Sequence, residues 1–362
     1  SSRGLTSWAD AAPYCVRMVH EIALMRLVAQ RVAGPRLADP LAAARHLLAA
    51  QGQDAVGVVR SLALRTQSRS GQAVLDAYDS AALVRSWPMR GTLHTLAAAD
   101  LGWLLALAAG RPQAAAARRR SQLGIDEAAV TTAQRVAEDV AQGGVVREEL
   151  LAAFRAAGLP TDSGRGYHLI VELAHRAVLC QGPMRGGEQA FVLVEDWITD
   201  PHRITGDEAL AELALRYVLG HGPATEADLA RWAGLPLGMV RRGLAAVREQ
   251  LDRIDVAGSE YWLDPALPDR FAAHRSEAES VHLLPGFDEM VLGYADRTAT
   301  IPPDHAERIV PGNNGVFRPT VLVDGVAVGT WRRKRDAIEV EPFSPLSARV
   351  QASVQAAVEQ LP

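Results

Sequence analysis

The sequence predicts an α+β fold, mainly α, in which tandem helix-turn-helix units of the winged-helix type precede a C-terminal β-rich unit. The clearest copy of this unit lies between Thr225 and Leu263, where two short amphipathic helices are followed by two alternating strands. A similar order of patterns recurs upstream, and repeats of this size indicate a tandem array. The last quarter of the chain changes to strand-like alternation around Asp324-Gly325, a dipeptide typical of tight hairpins.

The first unit, residues 15–120, has the least regular pattern. Its expected elements are helices near 17–32 and 40–50, a polar turn at Gln51, helices near 55–66 and 71–80, and a hairpin over 83–96. The second unit, residues 121–200, begins its pattern at Ala128 and ends in a hairpin between 178 and 194. Its second helix is expected over 165–176.

The third unit, residues 201–270, carries the strongest local signals. Thr225 is expected to cap a helix with Asp228 at the third helical position, and Gly234 is expected to end it. A second helix restarts at Leu237, and a strand pair follows. The fourth unit, residues 275–362, is expected to hold the Asp324-Gly325 hairpin and to close with a helix from about 345 to 360.

Composition sets wide bounds on function. The chain has 362 residues, of which 48% are hydrophobic and 22% charged, enough for a sizeable core divided among two to four units. Its two cysteines, Cys15 and Cys180, cannot build a disulfide framework, and no clustered Cys/His spacing predicts a metal. No cofactor is predicted. No apolar run reaches the length of a membrane span and no leader pattern is present, so we expect a soluble cytoplasmic protein.

Charge is unevenly distributed along the chain. The formal net charge of −4 at pH 7 by itself argues against a nucleic-acid partner. However, Lys334 is the only lysine, and arginines cluster at 118–120, 241–242 and 332–335. If these clusters share a surface they form a phosphate-binding stripe, whereas otherwise they are solvated charge runs. The arginines that we expect to contact DNA are Arg241, Arg242, Arg332, Arg333 and Arg335.

Two amide side chains mark a candidate site. Gln51 and Gln53 lie one residue apart where an apolar helical pattern breaks at Gly52. The alternative is a polar helix end satisfied by local hydrogen bonds. Asp54 could act as a base, but the residue before a helix is more often its N-cap, and we expect the cap.

A second polar group lies some forty residues later. The segment 90–94 is expected to be a strand whose alternation sends Arg90, Thr92 and His94 to one face. If the fold brings this face to the glutamines, the three side chains can support the site by holding a phosphate, a water or a glutamine side chain. A core role for His94 is an equally weighted alternative.

These segments carry a family resemblance. Five stretches in order resemble the AlkZ/YcaQ-type DNA glycosylases: 90–94 with the helix start at 98–101, 283–288, 293–297, 314–320 and 328–332. Gln51-Gly-Gln53 also matches the Gln-x-Gln motif of the azinomycin-resistance branch, although Gly52 departs from its usual aliphatic middle residue. The resemblance implies that Gln51 and Gln53 are the catalytic pair. It also implies winged helices curved around double-stranded DNA that carries N7-alkylguanine or interstrand crosslinks.

The implied chemistry suits amide side chains. Guanine alkylated at N7 is positively charged, so its glycosidic bond breaks without a general acid. The protein must stabilise an oxocarbenium-like sugar and place a water, which a preorganised amide dipole can do. An amide is too weak a base to take the proton. A crosslinked base cannot be flipped into a closed pocket, so an open cleft is expected.

Two other classes fit the same fold pattern. A winged-helix transcriptional regulator would bind duplex DNA in a sequence-specific way without turnover, and fold alone does not exclude it. A non-enzymatic scaffold would not bind DNA at all. Duplex binding separates the scaffold from the other two, and release of a modified base separates the enzyme from the regulator.

Overall fold

The computed structural model describes residues 8–335 and 337–361, with side chains from Arg17 onward. The helices are α1 (Trp8–Ala29), α2 (Pro40–Leu47), α3 (Ala55–Leu64), α4 (Gly71–Asp79), α5 (Leu101–Ala108), α6 (Gly110–Gln122), α7 (Glu127–Val140), α8 (Arg147–Ala156), α9 (Arg165–His175), α10 (Val194–Trp197), α11 (Gly206–His221), α12 (Glu226–Ala233), α13 (Leu237–Ala246), α14 (Leu267–Ala278), α15 (Glu289–Leu292), α16 (Ala306–Ile309) and α17 (Ala348–Glu359). The strands are β1 (Ala50–Gln51), β2 (Leu83–Met89), β3 (Thr92–Ala97), β4 (Leu179–Arg185), β5 (Glu188–Leu193), β6 (Asp252–Val256), β7 (Ser259–Leu263), β8 (Val281–Leu284), β9 (Thr320–Val323), β10 (Val326–Lys334) and β11 (Ala337–Pro342). The predicted α+β class is confirmed.

The first unit has the order helix, short strand, helix, helix and hairpin. Asp39 caps α2 through its side chain, which accepts from the Ala42 N–H at 2.7 Å. The helix ends at Leu47, not near residue 50 as the sequence predicts, because Ala50 and Gln51 pair with Thr95 and His94 of β3. The expected break of a helix at Gly52 is therefore wrong. Gln51 is the last residue of strand β1, and Gly52 and Gln53 follow that strand.

The expected strand from Arg90 to His94 is also wrong in part. Arg90 and Gly91 form the turn between β2 and β3, with φ of 56° and 69°. Two successive positive φ values are typical of the type I′ turn that matches the twist of a hairpin. Only Thr92 and His94 lie on β3, so Arg90 does not share a strand face with them.

The same order of elements recurs twice. In the second unit α7, α8 and α9 precede the β4–β5 hairpin, and Val145 bridges to Phe191. In the third unit α11, α12 and α13 precede the β6–β7 hairpin, and Ala224 bridges to Trp262. The predicted cap of α12 is confirmed, since Thr225 Oγ1 accepts from the Asp228 N–H at 3.1 Å.

Two hairpins join in one sheet. β2 of the first unit pairs with β4 of the second through Arg85 and Gln181, which gives the strand order β1-β3-β2-β4-β5. An apolar core then connects the first and third units, since it contains side chains of β2, β3, α5, α11, α12 and α13. The hairpin that flanks the glutamine segment is therefore fixed on two sides.

The C-terminal unit is a four-stranded antiparallel sheet in the order β11-β10-β9-β8, with α17 packed against it. The predicted Asp324-Gly325 turn is confirmed, with φ of 52° and 73°. The segment after β8 attaches this unit to the first one through a buried ion pair: Asp288 accepts from both terminal nitrogens of Arg65 at 2.9 Å, and both side chains are fully buried.

No described helix is long and apolar enough to cross a membrane. Within residues 8–335 and 337–361, no group of His, Cys, Asp or Glu side chains is arranged to hold a metal ion. Cys180 is buried and free, and the Cys15 side chain lies outside the described residues.

Candidate active site

Gln51 is held by its backbone between a strand and a buried carboxylate. On one side it pairs with His94 of β3, and on the other its N–H donates to Glu289 Oε1 at 2.8 Å. The residue is only 8% exposed. Its side-chain Oε1 accepts from the Gly52 N–H at 3.2 Å, so the carbonyl end of the amide is oriented locally.

Gly52 passes close to β3. Its N–H donates to Leu93 O at 2.7 Å, and its carbonyl accepts from Arg85 Nε at 2.7 Å. A Cβ added at Gly52 would lie 3.3 Å from Arg85 Nε and 3.3 Å from the backbone of His94 and Thr95. The Arg85 guanidinium therefore occupies the side of the loop toward which a larger middle residue would point.

Gln53 and Asp54 lead out of the site into α3. Gln53 is exposed. The Asp54 carboxylate accepts from the N–H groups of Val56 and Gly57 at 3.1 and 2.9 Å, which is the predicted N-cap. The two glutamines thus differ in setting: Gln51 is enclosed by the fold, and Gln53 faces solvent.

Glu289 is the buried acid of the site. Its second oxygen accepts from Trp232 Nε1 at 2.9 Å, and His221 Nε2 lies 3.5 Å away. Burial acts to raise the pKa of Glu289, but the contact with His221 and the positive charge of Arg90 outweigh it, so the pKa lies below its usual value. Glu289 is therefore an ionised acceptor that receives N–H donors from the first and third units.

His94 faces inward and makes contacts within the chain. Its Nδ1 lies 2.9 Å from Thr92 O and its Nε2 lies 2.8 Å from Arg90 Nη2. Because a guanidinium only donates, Nε2 is the acceptor and the ring is neutral with its proton on Nδ1. Burial, followed by the charge of Arg90, lowers the pKa of His94 to about 3. Both ring nitrogens are engaged within the chain and the side chain is fully buried, which favours the alternative of a core role for His94, in contact with Arg90.

Thr92 and Arg90, predicted to share a strand face with His94, each have a buried polar atom without a hydrogen-bond partner among the described residues. Thr92 Oγ1 is buried with no hydrogen-bond partner among the described residues. Arg90 reaches the site from the β2–β3 turn through Nη2, and its Nε is also buried and unpartnered in the described part of the chain. Of Arg90, Thr92 and His94, it is Arg90 and His94 that contact each other beside the strand that carries Gln51.

The predicted DNA-contacting arginines fall into two groups. On α13, Arg241 pairs with Glu226 at 2.8 Å and Arg242 pairs with Asp207, so their charges are offset within the chain. On the β10–β11 hairpin, Arg332 pairs with Glu339 at 2.7 Å. Arg333 and Arg335 are exposed, and Arg335 lies in the turn with φ of 56°.

Arg333 is the member of the second group whose charge acts on α3, the helix that follows the glutamines. Burial and then the charge of Arg333 lower the pKa of Arg60 on α3, while the Asp54 carboxylate acts in the opposite direction. The C-terminal hairpin thus brings a guanidinium near the helix that Asp54 caps. The arginine clusters at 332–335 and at 241–242 are not equivalent, since the ion pairs of Arg241 and Arg242 leave less net positive charge on α13.

An aromatic pair lies on the same side. Phe287 and Phe317 pack with their ring centroids 5.9 Å apart, and Arg297 lies over the Phe317 ring at 4.9 Å. A Cβ added at Gly286 would lie 3.6 Å from Asp54 Oδ2, so this loop adjoins the start of α3. The site is therefore bordered by the first unit, the third unit and the C-terminal unit.

Comparison with known proteins decides the family. A family model described as "DNA glycosylase AlkZ-like" matches residues 44–362. The chain belongs to the AlkZ-like DNA glycosylase family. It is 28% identical over 305 residues to an interstrand DNA cross-link repair glycosylase of Streptomyces sahachiroi, covering 78% of this chain and 79% of that protein.

The AlkZ-like fold is also found in a solved structure. The Streptomyces sahachiroi DNA glycosylase AlkZ superposes with a TM-score of 0.78 over 94% of this chain and 95% of that one, at 24% identity. At this identity the likeness concerns the fold. The predicted resemblance to AlkZ-type proteins is confirmed.

Sequence reasoning missed the residues that hold the glutamine segment of this AlkZ-like chain in place. Glu289 lies one residue beyond a segment that resembles the family, and its partner Gln51 is 238 positions away. Arg85 lies within strand β2, and no sequence pattern indicated that its side chain donates to the Gly52 carbonyl. An acidic residue inside an apolar run, as in Glu289-Met-Val-Leu, is a usable signal, because a buried acid needs partners.

Proposed function

We propose that this protein is a monofunctional DNA glycosylase that hydrolyses the N-glycosidic bond of N7-alkylguanine and unhooks interstrand crosslinks. One observation carries the proposal. In a chain of the AlkZ-like family, the Gln51-Gly-Gln53 segment is held against β3 and an ionised buried Glu289, which leaves Gln53 exposed beside it. A fixed amide next to an exposed one suits a water placed for attack on the sugar.

The electrostatics support the same reaction. The positive charge that develops on the sugar is stabilised by amide carbonyl dipoles and by negative charge nearby. Glu289 is ionised and hydrogen-bonded to the Gln51 backbone, while His94 is neutral. Asp54 is engaged as the cap of α3, so the glutamines remain the proposed catalytic pair and Asp54 a supporting residue.

The proposed DNA-binding framework is a tandem array of winged helices. Each of the three units has the order helix, bridging residue or strand, helix, helix and hairpin, which is the order of that motif. Contacts to DNA phosphates are assigned to the hairpin arginines Arg332, Arg333 and Arg335, with Arg333 foremost because its charge acts on Arg60 of α3. Arg241 and Arg242 would contact DNA only if their internal ion pairs exchange for phosphate.

We further propose azinomycin-type crosslinks as the lesion. The support is the Gln-x-Gln pattern, which matches the azinomycin-resistance branch, and the named activity of the Streptomyces sahachiroi relative in interstrand crosslink repair. The partner is double-stranded DNA carrying such lesions. A regulator without catalysis is not favoured, because the chain belongs to a glycosylase family.

The test is base release from defined DNA. Purified protein is incubated in excess with a duplex that carries one N7-methylguanine, and abasic sites are revealed by alkaline cleavage. We expect release by the wild type and a loss of roughly a hundredfold or more in the Gln51→Ala/Gln53→Ala variant, with duplex binding retained. If the glutamines hold one water together, the losses of the single variants will not add.

A matched control separates loss of the catalytic amides from a general effect of replacing two glutamines. Gln351 and Gln355 are two exposed glutamines on α17, and replacing both by Ala should leave the rate unchanged. Release at near wild-type rate by the Gln51/Gln53 double variant would overturn the catalytic assignment. Sequence-specific duplex binding with no release by the wild type would favour the regulator instead.

A further inference from the structure

Three arginines from different parts of the chain meet beside the glutamine segment. Arg90 lies in the β2–β3 turn, Arg231 in the last turn of α12, and Arg297 in the segment that follows α15. Arg90 packs against the end of α12, since a Cβ added at Gly234 would lie 3.1 Å from Arg90 Cγ. The segment before Arg297 is joined to α12, because the Ala295 N–H donates to Asp228 Oδ1 at 2.8 Å. Burial, and then the charges of Arg231 and Arg90, lower the pKa of Arg297 to about 10.

This arginine cluster, defined as Arg90, Arg231 and Arg297, lacks a direct counter-charge. None of the three has a carboxylate within 4.0 Å among the described residues. The negative charge that acts on Arg90 is that of Glu289, which already accepts hydrogen bonds from Gln51 and Trp232. The cluster therefore has more positive charge than the surrounding fold neutralises.

Donors are also left over in the cluster. The Nε atoms of Arg90 and Arg297 are buried with no hydrogen-bond partner in the described chain. A buried guanidinium nitrogen without an acceptor is costly, and the oxygens of an anion bound at the cluster would supply one. Arg231 is exposed, which leaves the cluster open to solvent on the side of α12.

We propose that the arginine cluster binds one phosphodiester group of the DNA strand whose lesion faces Gln51. A phosphate offers several acceptor oxygens to planar guanidinium forks, which is the geometry that arginine recognises best. The site lies next to the glutamines because Arg90 contacts His94, the residue paired with Gln51 across the β1–β3 ladder. This inference rests on the proposed function and adds the anchor that would set the position of the strand.

The experiment measures affinity for a lesion-free duplex as a function of salt, by fluorescence anisotropy. Arg231→Gln and Arg297→Gln are compared singly and together, with Arg275→Gln as the control. Arg275 is a half-buried arginine on α14 that pairs with Glu279 and with Glu21. Each single variant should bind about tenfold or more weakly and lower the magnitude of the salt slope by about 0.9. The double variant should lower the slope no further, because one phosphate is shared, and Arg275→Gln should match the wild type.

Two more measurements make the result decisive. Thermal unfolding should show an unchanged or higher Tm for Arg231→Gln, since the substitution relieves like-charge repulsion. A duplex in which single phosphates are replaced in turn by neutral methylphosphonate should show one position that weakens the wild type and not the double variant. The shared site is overturned if the double variant keeps the wild-type salt slope and affinity. It is also overturned if the double variant loses twice the slope of a single variant, since two phosphates would then be involved. A lower Tm with unchanged binding would likewise overturn it.

Failure of this proposal can be told apart from failure of the proposed function. If the wild type releases no N7-methylguanine yet the variants show the expected slopes, the phosphate site stands and the glycosylase assignment fails. If the wild type releases the base and the double variant binds and excises equally well, the site fails and the function stands.

Discussion

Glu289→Gln is the substitution that most directly tests how the proposed catalytic segment, Gln51-Gly-Gln53, is held in place. The two carboxylate oxygens accept from different donors, the Gln51 N–H at 2.8 Å and Trp232 Nε1–H at 2.9 Å. A glutamine at this position has one acceptor oxygen and one NH₂ group. Whichever way the amide is oriented, one of the two donors then faces another donor.

The expected magnitude follows from these contacts. A hydrogen bond to a charged group contributes about 1.5–3 kcal/mol, and a buried donor left unsatisfied costs about 1–3 kcal/mol. We therefore expect the free energy of unfolding to fall by about 3 kcal/mol. β1 has only two residues. If the hydrogen bond between the Gln51 N–H and Glu289 is lost, β1 is held in place mainly by its pairing with β3. A shift of about 1 Å in a positioned group can cost roughly a hundredfold in rate.

The assay is single-turnover release of N7-methylguanine at saturating protein, with stability measured by denaturant unfolding and affinity by anisotropy. Glu172→Gln is the matched control, because Glu172 is also a buried glutamate but pairs with Arg120 and Arg176 in the second unit. It should lower stability without changing the single-turnover rate. Folded Glu289→Gln protein that excises at the wild-type rate would refute the positioning argument, as would an equal rate loss in Glu172→Gln.

Three further predictions concern the hairpin, the buried histidine and the helix cap. Arg333→Glu should weaken duplex binding and lower the magnitude of the salt slope by about one unit; unchanged slope and affinity would exclude this surface as the DNA face. Folding lowers the pKa of His94 from 6.5 to about 3 by burial and by the charge of Arg90, so the unfolded chain binds a proton that the native chain does not between these values. His94 therefore favours the native state fully above about pH 6.5 and loses that contribution as the pH falls, and His94→Gln should remove up to about 1.4 kcal/mol per pH unit from the slope of unfolding free energy between pH 4 and 6. Parallel stability curves for the two proteins would contradict this. Asp54→Ala should cost about 1 kcal/mol through loss of the cap, whereas Asp54→Asn should keep both cap and excision rate; a large rate loss in Asp54→Asn measured by base release would instead make Asp54 the base.

Local signals in the sequence predicted local structure well. Thr225 with Asp228 marks a helix start, Gly234 ends that helix with φ of 69°, and Asp324-Gly325 forms its turn. Each of these features is decided by atoms within three or four residues, so the sequence pattern alone is sufficient. The boundaries near these residues were accordingly accurate.

Long-range pairing decided the features that sequence reasoning missed. Ala50 and Gln51 continue an apolar helical pattern, yet they form a strand because they pair with β3, which lies some forty residues later in the sequence. Arg90 lies at a positive-φ position that asparagine, aspartate or glycine usually occupies, so nothing in the sequence signalled the turn between β2 and β3. Periodicity carries no information about which distant acid will accept the Gln51 N–H, and Glu289 was therefore out of reach.

The buried pair between Arg65 and Asp288 has a consequence for how the molecule comes into being. Tandem modules often fold one after another as they leave the ribosome. Here the residue that completes the surroundings of Gln51, and the ion pair that anchors its segment, arrive after all three repeated units have been synthesised. A nascent chain that has extended through the third unit therefore displays its glutamines without the carboxylate that holds them. The first unit thus depends on residues of the C-terminal segment, and the surroundings of Gln51 are complete only after residues 288 and 289 have been synthesised.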